Sequence, residues 1–127
     1  MNNGSGSSAA SSEFDLRLRT RAFALRIIRL YTALPKTAEA QVLGKQLLRC
    51  GTSVGAQYHE ATRSRSSAEF VSKIESGLQE LEESQYWLNL LIDSGITPKQ
   101  KLSGLCREAD ELAAIFVTSV KTVKRRR

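Results

Sequence analysis

Mostly apolar residues recur at steps of three, four or seven positions along four separate stretches of this 127-residue chain. The four sets are Leu16, Phe23, Ile27, Leu30 and Leu34; Leu43, Leu47, Cys50, Val54, Tyr58 and Ala61; Ile74, Leu78, Leu81, Gln85, Leu88 and Ile92; and Leu102, Leu105, Ala109, Leu112, Phe116, Ser119 and Val123. This spacing places each set on one stripe of an α-helix, and such a stripe must be buried. Only a few residues separate the stretches, so neighbouring helices must run antiparallel. The pattern therefore predicts an all-α, up-down-up-down four-helix bundle.

Capping and helix-breaking residues set the expected ends of the first two helices. The first helix should begin near Asp15, an acceptable N-cap, and end by Leu34, because Pro35 disfavours a helical residue before it. The second helix should begin near Thr37 and continue to about Arg63.

Similar signals bound the third and fourth helices. The S-x-x-E sequence from Ser66 to Glu69 is a capping box, so the third helix should begin at Ser67. Gly95 can adopt the left-handed conformation that ends a helix. The T-x-x-Q sequence from Thr97 to Gln100, with Pro98 at the first helical position, predicts the start of the fourth helix.

Composition bounds the class of protein. A chain of 127 residues and 14.0 kDa is large enough for one domain with its own core. Residues 1–13 are rich in Gly, Ser and Asn and lack the pattern of a signal peptide. We expect them to form a disordered segment or linker ahead of a bundle that spans residues 14–127. No apolar run approaches the roughly 18 residues of a membrane span, so we expect a cytoplasmic protein without a membrane partner.

The formal charge of +6 is unevenly distributed. Residues 66–96, which contain the third helix, hold six acidic residues and one lysine. The other three segments, residues 13–36, 37–65 and 97–127, are each net basic. A polyanion would therefore avoid the third helix and approach the other three.

No residue pattern indicates catalysis. His59-Glu60 begins like the zinc motif H-E-x-x-H, but position 63 is Arg, so the second ligand is missing. Cys50, His59 and Cys106 lack metal-ligand spacing, and we expect both cysteines to be small buried hydrophobic residues. We therefore expect a non-enzymatic protein without a metal or other cofactor.

Two features indicate contact with another subunit. Glu80, Glu82 and Glu83 form an acidic face on the third helix that a basic helix of the next subunit could meet. Gly51 and Gly55 form a small-residue patch, for which we favour close approach of a helix of the same chain over a subunit contact. A contact between two different faces is head-to-tail and closes into a ring where the rotation allows.

Basic residues provide the candidate binding site. Arginine presents a planar, permanently charged fork that suits phosphate. The candidate nucleic-acid-binding residues are Arg17, Arg21, Arg26 and Arg29 on the first helix, Arg63 and Arg65 in the connection between the second and third, and Lys121, Lys124, Arg125, Arg126 and Arg127 at the end of the sequence. The alternative is that these charges are solvated, the last of them favoured by the dipole of the fourth helix. The low aromatic content of 6% favours backbone contact over base stacking.

The sequence of the second and third helices resembles a known family. Residues 47–61, LLRCGTSVGAQYHEA, and the R-x-x-S-x-x-E-F pattern of residues 63–70 are similar to four-helix-bundle proteins encoded in intervening sequences of bacterial 23S ribosomal RNA genes. Residues 108–116, EADELAAIF, and the Leu34-Pro35-Lys36 break resemble the same family. The resemblance covers about residues 15–125. Many relatives carry proline and asparagine where this chain has Gly55 and Gln57.

The resemblance implies more than the residue patterns do. The family includes the accessory variability protein of diversity-generating retroelements, which works with a reverse transcriptase and its template RNA. The resemblance therefore implies a ring-shaped homopentamer with a basic surface, with RNA, DNA or a reverse transcriptase as partners, and without catalysis.

Three classes of function are in competition. The leading hypothesis is a non-enzymatic oligomer that binds RNA or DNA and is accessory to a reverse transcriptase. The rival is a protein-interaction scaffold whose basic excess serves solubility and subunit pairing. A binder of small molecules within the bundle is less favoured, because the apolar stripes offer few polar groups to orient a ligand.

Overall fold

Four α-helices make up most of residues 9–126, the part of the chain that the computed structural model describes, with side chains described from residue 15 to residue 126. Helix α1 spans Ala9–Ala33, α2 spans Ala38–Thr62, α3 spans Ser67–Asp93 and α4 spans Lys99–Arg126. Each helix packs against the next, and α4 returns to α1, whereas α1 and α3 lie diagonally across the bundle, as do α2 and α4. The predicted all-α four-helix bundle is confirmed.

Side-chain contacts between neighbours show that the helices are antiparallel. Arg17, early in α1, contacts Thr62 at the end of α2. Lys73, early in α3, lies 2.6 Å from Glu60 of α2. Lys124, late in α4, lies 3.5 Å from Glu75 of α3. One end of the bundle therefore combines the start of α1, the end of α2, the start of α3 and the end of α4, and we call it the basic end.

The N-caps of α2 and α3 are those that the sequence predicts. The hydroxyl of Thr37 accepts a hydrogen bond from the backbone N–H of Ala40 at 3.3 Å. The hydroxyl of Ser66 accepts one from the N–H of Glu69 at 3.0 Å. Such bonds satisfy donors that a helix N-terminus leaves unpaired. The carboxylate of Glu69 closes the box by accepting from the backbone N–H of Arg65, one residue before the cap.

The bundle departs from the predicted boundaries at two helix starts. Helix α1 begins at Ala9, six residues before the expected Asp15, because no glycine or proline interrupts residues 9–15. Helix α4 begins at Lys99, directly after Pro98. Gly95 has the predicted left-handed backbone, with a φ of +79°, and ends the turn after α3. Residues 1–8 of the expected linker lie outside the described part of the chain.

On α1, α2 and α4 the core contains most residues of the predicted stripes, and the additional buried residues are Thr20, Ala40, Gly44, Gly51 and Val120. Four residues of the predicted stripes are only half-buried: Leu30, Leu43, Ser119 and Val123. Thr20 on α1 is buried between Leu16 and Phe23, and its hydroxyl donates to the carbonyl of Leu16 at 2.8 Å. That bond satisfies a polar group that would otherwise be costly to bury. Near the basic end the core is completed by Tyr58 and Phe116, whose ring centroids lie 6.0 Å apart.

The stripe on α3 is rotated from the predicted one. The buried positions are Val71, Ile74, Gly77, Leu81, Ser84, Leu88 and Leu91. Gln85, which the periodicity placed inward, is half-buried, and its side-chain amide donates a hydrogen bond to the exposed carboxylate of Asp110. The reason is close packing by small residues: Gly77 lies against the ring of Phe116, and the hydroxyl of Ser84 donates to the sulfur of Cys50 at 3.2 Å.

Helices α1 and α4 share the smallest contact of the four neighbouring pairs. A salt bridge joins them at mid-height. The guanidinium of Arg19 donates to both carboxylate oxygens of Glu108, at 2.8 and 3.1 Å, and to Glu111 at 2.9 Å. These carboxylates, Glu108 first, raise the pKa of Arg19 above its ordinary value. Charged groups thus help to hold the contact between α1 and α4, which we call the α1–α4 seam.

Both cysteines are free thiols, Cys50 buried and Cys106 half-buried. Burial raises the pKa of each thiol, so both stay protonated at neutral pH. None of the described helices is long and apolar enough to cross a membrane.

Candidate nucleic-acid interface

Most of the predicted binding residues meet at the basic end of the bundle. Arg17 and Arg21 come from α1, Arg63 and Arg65 from the α2–α3 connection, and Lys121, Lys124, Arg125 and Arg126 from the end of α4. All eight are exposed. Arg127 lies outside the described residues. The antiparallel arrangement therefore gathers cations that are far apart in sequence.

A groove of about 400 Å³ between α1 and α2 lies within this surface. Arg17, Arg21 and His59 supply its basic groups. The guanidinium of Arg17 donates to the hydroxyl of Thr62 at 3.1 Å, which holds the charge at the groove. Neither arginine has an ion-pair partner among residues 15–126. The groove can therefore offer their charge to an anion from outside.

Small side chains make this groove possible. Gly55 lies so close to α1 that a Cβ on it would come within 3.3 Å of the Thr20 hydroxyl oxygen. Ala56 and Thr52 line the same groove on α2. The hydroxyl of Thr52 donates to the carbonyl of Leu48 at 2.7 Å, which fixes the orientation of this side chain in the groove wall.

The α2–α3 connection extends the basic surface beyond the groove. The guanidinium of Arg63 lies 3.5 Å from the ring nitrogen Nε2 of His59. Arg65 carries no ion pair among the described residues, and its backbone N–H is held by Glu69 at 2.8 Å. The capping box thus fixes the backbone that presents these two arginines.

The end of α4 adds a further cluster. Lys124 lies 3.5 Å from Glu75, with both side chains about half exposed. Lys121, Arg125 and Arg126 have no ion-pair partner within residues 15–126. Cations in a last helical turn are favoured by the helix dipole, so this cluster is stable as a local structure even without a ligand.

Arg26 and Arg29 lie apart from that surface. They line a depression of about 550 Å³ between α1 and α4, toward the opposite end of the bundle, together with Lys101. The guanidinium of Arg26 lies over Gly104, where a Cβ would come within 2.9 Å of its terminal nitrogen. The structure therefore divides the predicted arginines of α1 into two groups.

Two basic positions, one in each of these surfaces, were not identified from the sequence as contributors. His59 was considered only as a metal ligand, yet it lines the α1–α2 groove. Lys101 was not singled out, yet it joins Arg26 and Arg29. Within residues 15–126, no group of three or more His, Cys, Asp or Glu side chains could hold a metal ion.

The predicted subunit-contact residues have different surroundings. Gly51 is buried, and a Cβ on it would lie 2.9 Å from a side-chain carbon of Ile27, so it serves packing of α1 on α2 within the chain. This is the interpretation favoured from the sequence, and it leaves Gly51 no surface for a second subunit. Gly55 is half-buried, lying against Thr20 and lining the α1–α2 groove.

The three predicted acidic residues also differ. Glu82 is exposed and has no ion-pair partner among the described residues. Glu83 lies 3.9 Å from Arg49 of α2. Glu80 is half-buried, and one of its carboxylate oxygens is shielded from solvent without a hydrogen-bond partner. Burial, and then the charge of Glu83, raise the pKa of Glu80. Only Glu82 is therefore fully available to another chain.

The protein is therefore an antiparallel four-helix bundle with one basic end. Comparison with known proteins identifies its family. The family model of the 23S rRNA-intervening sequence protein matches residues 13–118. A crystal structure at 1.70 Å of a protein of unknown function from the S23 ribosomal protein family of Bacteroides thetaiotaomicron VPI-5482 is 32% identical. The match covers 83% of this chain and 97% of that one, with a TM-score of 0.78. A search of curated proteins gives no match. This chain belongs to the family of 23S rRNA-intervening sequence proteins.

Proposed function

We propose that this protein is a non-enzymatic binder of RNA or DNA that contacts the phosphate backbone through the basic end of the bundle. One observation carries the proposal: cations from α1, the α2–α3 connection and α4 converge there, and seven of the eight described lack an ion-pair partner among residues 15–126. Phosphates supply the missing anions, and release of their counterions supplies binding free energy.

The chemistry of this surface favours backbone contact over reading of bases. Tyr86 is an exposed aromatic side chain, but it lies on the acidic helix α3. Tyr58 and Phe116 at the basic end are buried in the core. Phe70, at the start of α3, is half-buried, so the aromatic side chains described at this end between residues 15 and 126 offer little surface on which unpaired bases could stack. Binding should be tolerant of sequence, because phosphate contacts position a nucleic acid and do not specify it.

A salt titration with paired variants tests the proposal. Changing both Arg17 and Arg21 to Gln should weaken binding to unrelated RNA and DNA by about tenfold at low salt and flatten the log–log salt slope by close to one unit per lost contact on duplex DNA. Deleting residues 124–127 should do the same. The matched control is Lys36→Gln with Lys45→Gln, which removes two exposed charges near the opposite end. That control should retain wild-type affinity and slope.

The control decides between local contact and general charge. If the lysine pair weakens binding as much as the arginine pair, the groove has no special role. If none of the variants changes affinity or slope, the basic residues are solvated surface and the proposal is wrong.

The proposal extends to two protein partners through the family resemblance: further copies of this chain and a reverse transcriptase. The charge difference between α3 and the other helices supports assembly with further copies. Co-purification of the chain with a reverse transcriptase encoded beside its gene, at salt that releases RNA, tests the second partner. Recovery that depends wholly on RNA would contradict a direct contact.

A protein-interaction scaffold is the second candidate function, and a different observation favours it. The apolar side chains of Leu18, Leu25 and Ile28 are exposed on one face of α1. Exposed apolar side chains that are grouped on one face usually mark a contact with another protein. A scaffold would show little or no salt-dependent binding to nucleic acid, so the same titration separates the two candidates.

A further inference from the structure

The depression between α1 and α4, away from the basic end, has the composition of a ligand site. Its volume of about 550 Å³ falls within the range of roughly 300–1,000 Å³ that is usual for ligand pockets. Four of its lining residues are polar, namely Arg26, Arg29, Thr97 and Lys101, and the other eight are apolar. An apolar lining with a few polar groups that fix orientation is typical of sites for small molecules. We call this site the α1–α4 depression.

Three cations at the α1–α4 depression have no anion to balance them. Arg26, Arg29 and Lys101 are exposed, and none has an ion-pair partner within residues 15–126. The described residues that line the depression include no acidic side chain. Arg26 and Arg29 lie one turn apart on α1, and Lys101 lines the same depression from α4. The two helices therefore bring three positive charges to one concave surface, which attracts an anion.

Thr97 lines the depression with a hydroxyl that the chain does not use. The residue is only 7% exposed. The hydroxyls of Thr37 and Ser66 each accept a hydrogen bond from the helix that follows, but the hydroxyl of Thr97 has no hydrogen-bond partner among residues 15–126. The capping bond predicted for Thr97 is therefore not made between these residues. A nearly buried hydroxyl without a partner is unusual, and a polar atom of a ligand would satisfy it.

The start of α4 adds to the preference for negative charge. Helix α4 begins at Lys99, two residues after Thr97, and is 28 residues long. The N-terminus of an α-helix carries a partial positive charge that favours an anion nearby. Side-chain charge, an unused hydroxyl and a helix dipole thus coincide at one end of the depression.

We propose that the α1–α4 depression binds a small phosphate monoester that carries an apolar group. The phosphate lies among Arg29, Lys101 and Thr97, and the apolar group packs against the half-buried side chains of Leu30 and Ile96. This inference is independent of nucleic-acid binding, because the depression and the α1–α2 groove share no lining residue among those described.

The charge and the lining decide between kinds of anion. A phosphate monoester carries about −1.5 to −2 charges at pH 7, which matches three cations better than the single charge of a carboxylate. A phosphate in a nucleic-acid backbone has one charge and polar sugars on either side, so it would leave the apolar lining of the depression unfilled.

The first test compares four probes by titration calorimetry of the full chain: hexyl phosphate, inorganic phosphate, hexanoate and hexanol. Hexyl phosphate should bind one molecule per chain. Its affinity should exceed that of inorganic phosphate by about tenfold, the effect of burying roughly two of its methylene groups. Hexanoate should bind more weakly than hexyl phosphate because it carries less charge, and hexanol should show no binding.

The second test removes the cations one at a time. Arg29→Gln and Lys101→Gln should each weaken the binding of hexyl phosphate by about tenfold, the usual effect of one lost hydrogen bond to a charged group. The matched controls are Arg107→Gln on α4 and Lys45→Gln on α2, which remove exposed cations outside the depression. Both controls should keep wild-type affinity. Circular dichroism checks that each variant folds, which we expect because all four residues are exposed.

The third test separates a ligand contact from a structural role. Thr97→Val keeps the shape of the side chain and removes its hydroxyl. Affinity for hexyl phosphate should fall by about fivefold, and the urea midpoint of the free protein should not fall, because the hydroxyl has no partner within residues 15–126 to lose. A lower midpoint with unchanged affinity would show that the hydroxyl serves the fold, and the inferred site would then be wrong.

Four further results would overturn the inference. Hexyl phosphate could bind no more tightly than inorganic phosphate, hexanol could bind as tightly as hexyl phosphate, or Arg29→Gln and Lys101→Gln could leave its affinity unchanged. The fourth result is a loss of RNA or DNA binding in those two variants that equals the loss caused by changing Arg17 and Arg21, which would assign the depression to the nucleic-acid surface. Failure of the nucleic-acid proposal alone would instead leave the binding of hexyl phosphate intact.

Discussion

Gly77 offers a sharp test of how closely the helices pack. An alanine Cβ at this position would lie 2.7 Å from Cε2 and 3.4 Å from Cδ2 of Phe116. Nonbonded carbons normally sit about 3.5–4.0 Å apart, so the ring would have to move by roughly 1 Å. Phe116 is fully buried and its ring packs near that of Tyr58, so there is little space for such a movement.

The expected free energy combines two opposing effects. Replacing a mid-helix glycine by alanine contributes about 1 kcal/mol of stability through helix propensity. Overpacking a core costs about 1–3 kcal/mol. We therefore expect Gly77→Ala to lower the free energy of unfolding by about 1 kcal/mol.

Gly104→Ala is the matched control, because the chemical change is the same and the surroundings differ. Its Cβ would meet only the terminal nitrogen of Arg26, at 2.9 Å, and that flexible side chain can move aside. The propensity effect should then prevail, and stability should rise by about 0.5–1 kcal/mol. Urea unfolding followed by circular dichroism, at equal protein concentration, measures both values. If Gly77→Ala stabilises as much as Gly104→Ala, the packing of Phe116 on α3 is not as described.

Three further predictions concern the core. Leu81→Ala and Leu112→Ala should each destabilise by about 2–5 kcal/mol, since both side chains are fully buried, and a loss below about 1 kcal/mol in urea unfolding at both sites would refute the assigned stripes. Glu80→Gln should raise the free energy of unfolding at pH 7, because it removes a negative charge that burial and the neighbouring Glu83 disfavour. Because folding raises the pKa of Glu80, the ionised carboxylate destabilises the folded state at pH values above that pKa. This destabilisation disappears as the pH falls and the carboxylate is protonated. In thermal melts, the difference in stability between the Gln variant and the wild type should therefore decrease toward acid pH. The buried Cys50 thiol should react with a thiol reagent only as fast as the bundle opens, and therefore more slowly than the half-buried Cys106 thiol. Equal reaction rates for the two cysteines would contradict the burial of Cys50.

The fold could be predicted from the sequence because its signals are local. Thr37 and Ser66 cap their helices as their positions indicate, and Gly95 adopts the expected left-handed backbone. The rotation of α3 could not be predicted, because an apolar pattern does not count glycine or serine as core residues. Gly77 and Ser84 are nevertheless buried, since their small size lets neighbouring helices approach.

The candidate site was predicted only in part, for a similar reason. Arg19 and Arg26 are seven residues apart and so lie on the same side of α1, but helical periodicity contains no information about the helix opposite. Glu108 and Glu111, far along the sequence, pair with Arg19, whereas Arg26 meets Gly104 and stays free of an ion pair among the described residues. Which arginines remain available to phosphate is thus decided by tertiary contacts.

The α1–α4 seam has a consequence for the motions of the bundle. Local opening requires the least free energy where few apolar contacts must be broken. Because the contact of α1 with α4 is the smallest of the four and includes the salt bridges of Arg19 with Glu108 and Glu111, the easiest opening motion should be a departure of α1 from α4 while α1 stays attached to α2. High salt screens charges and should accelerate amide exchange along this seam before it affects α2 and α3. Helix α1, which carries Arg17 and Arg21 of the groove, should then also be the first helix to separate from a neighbour.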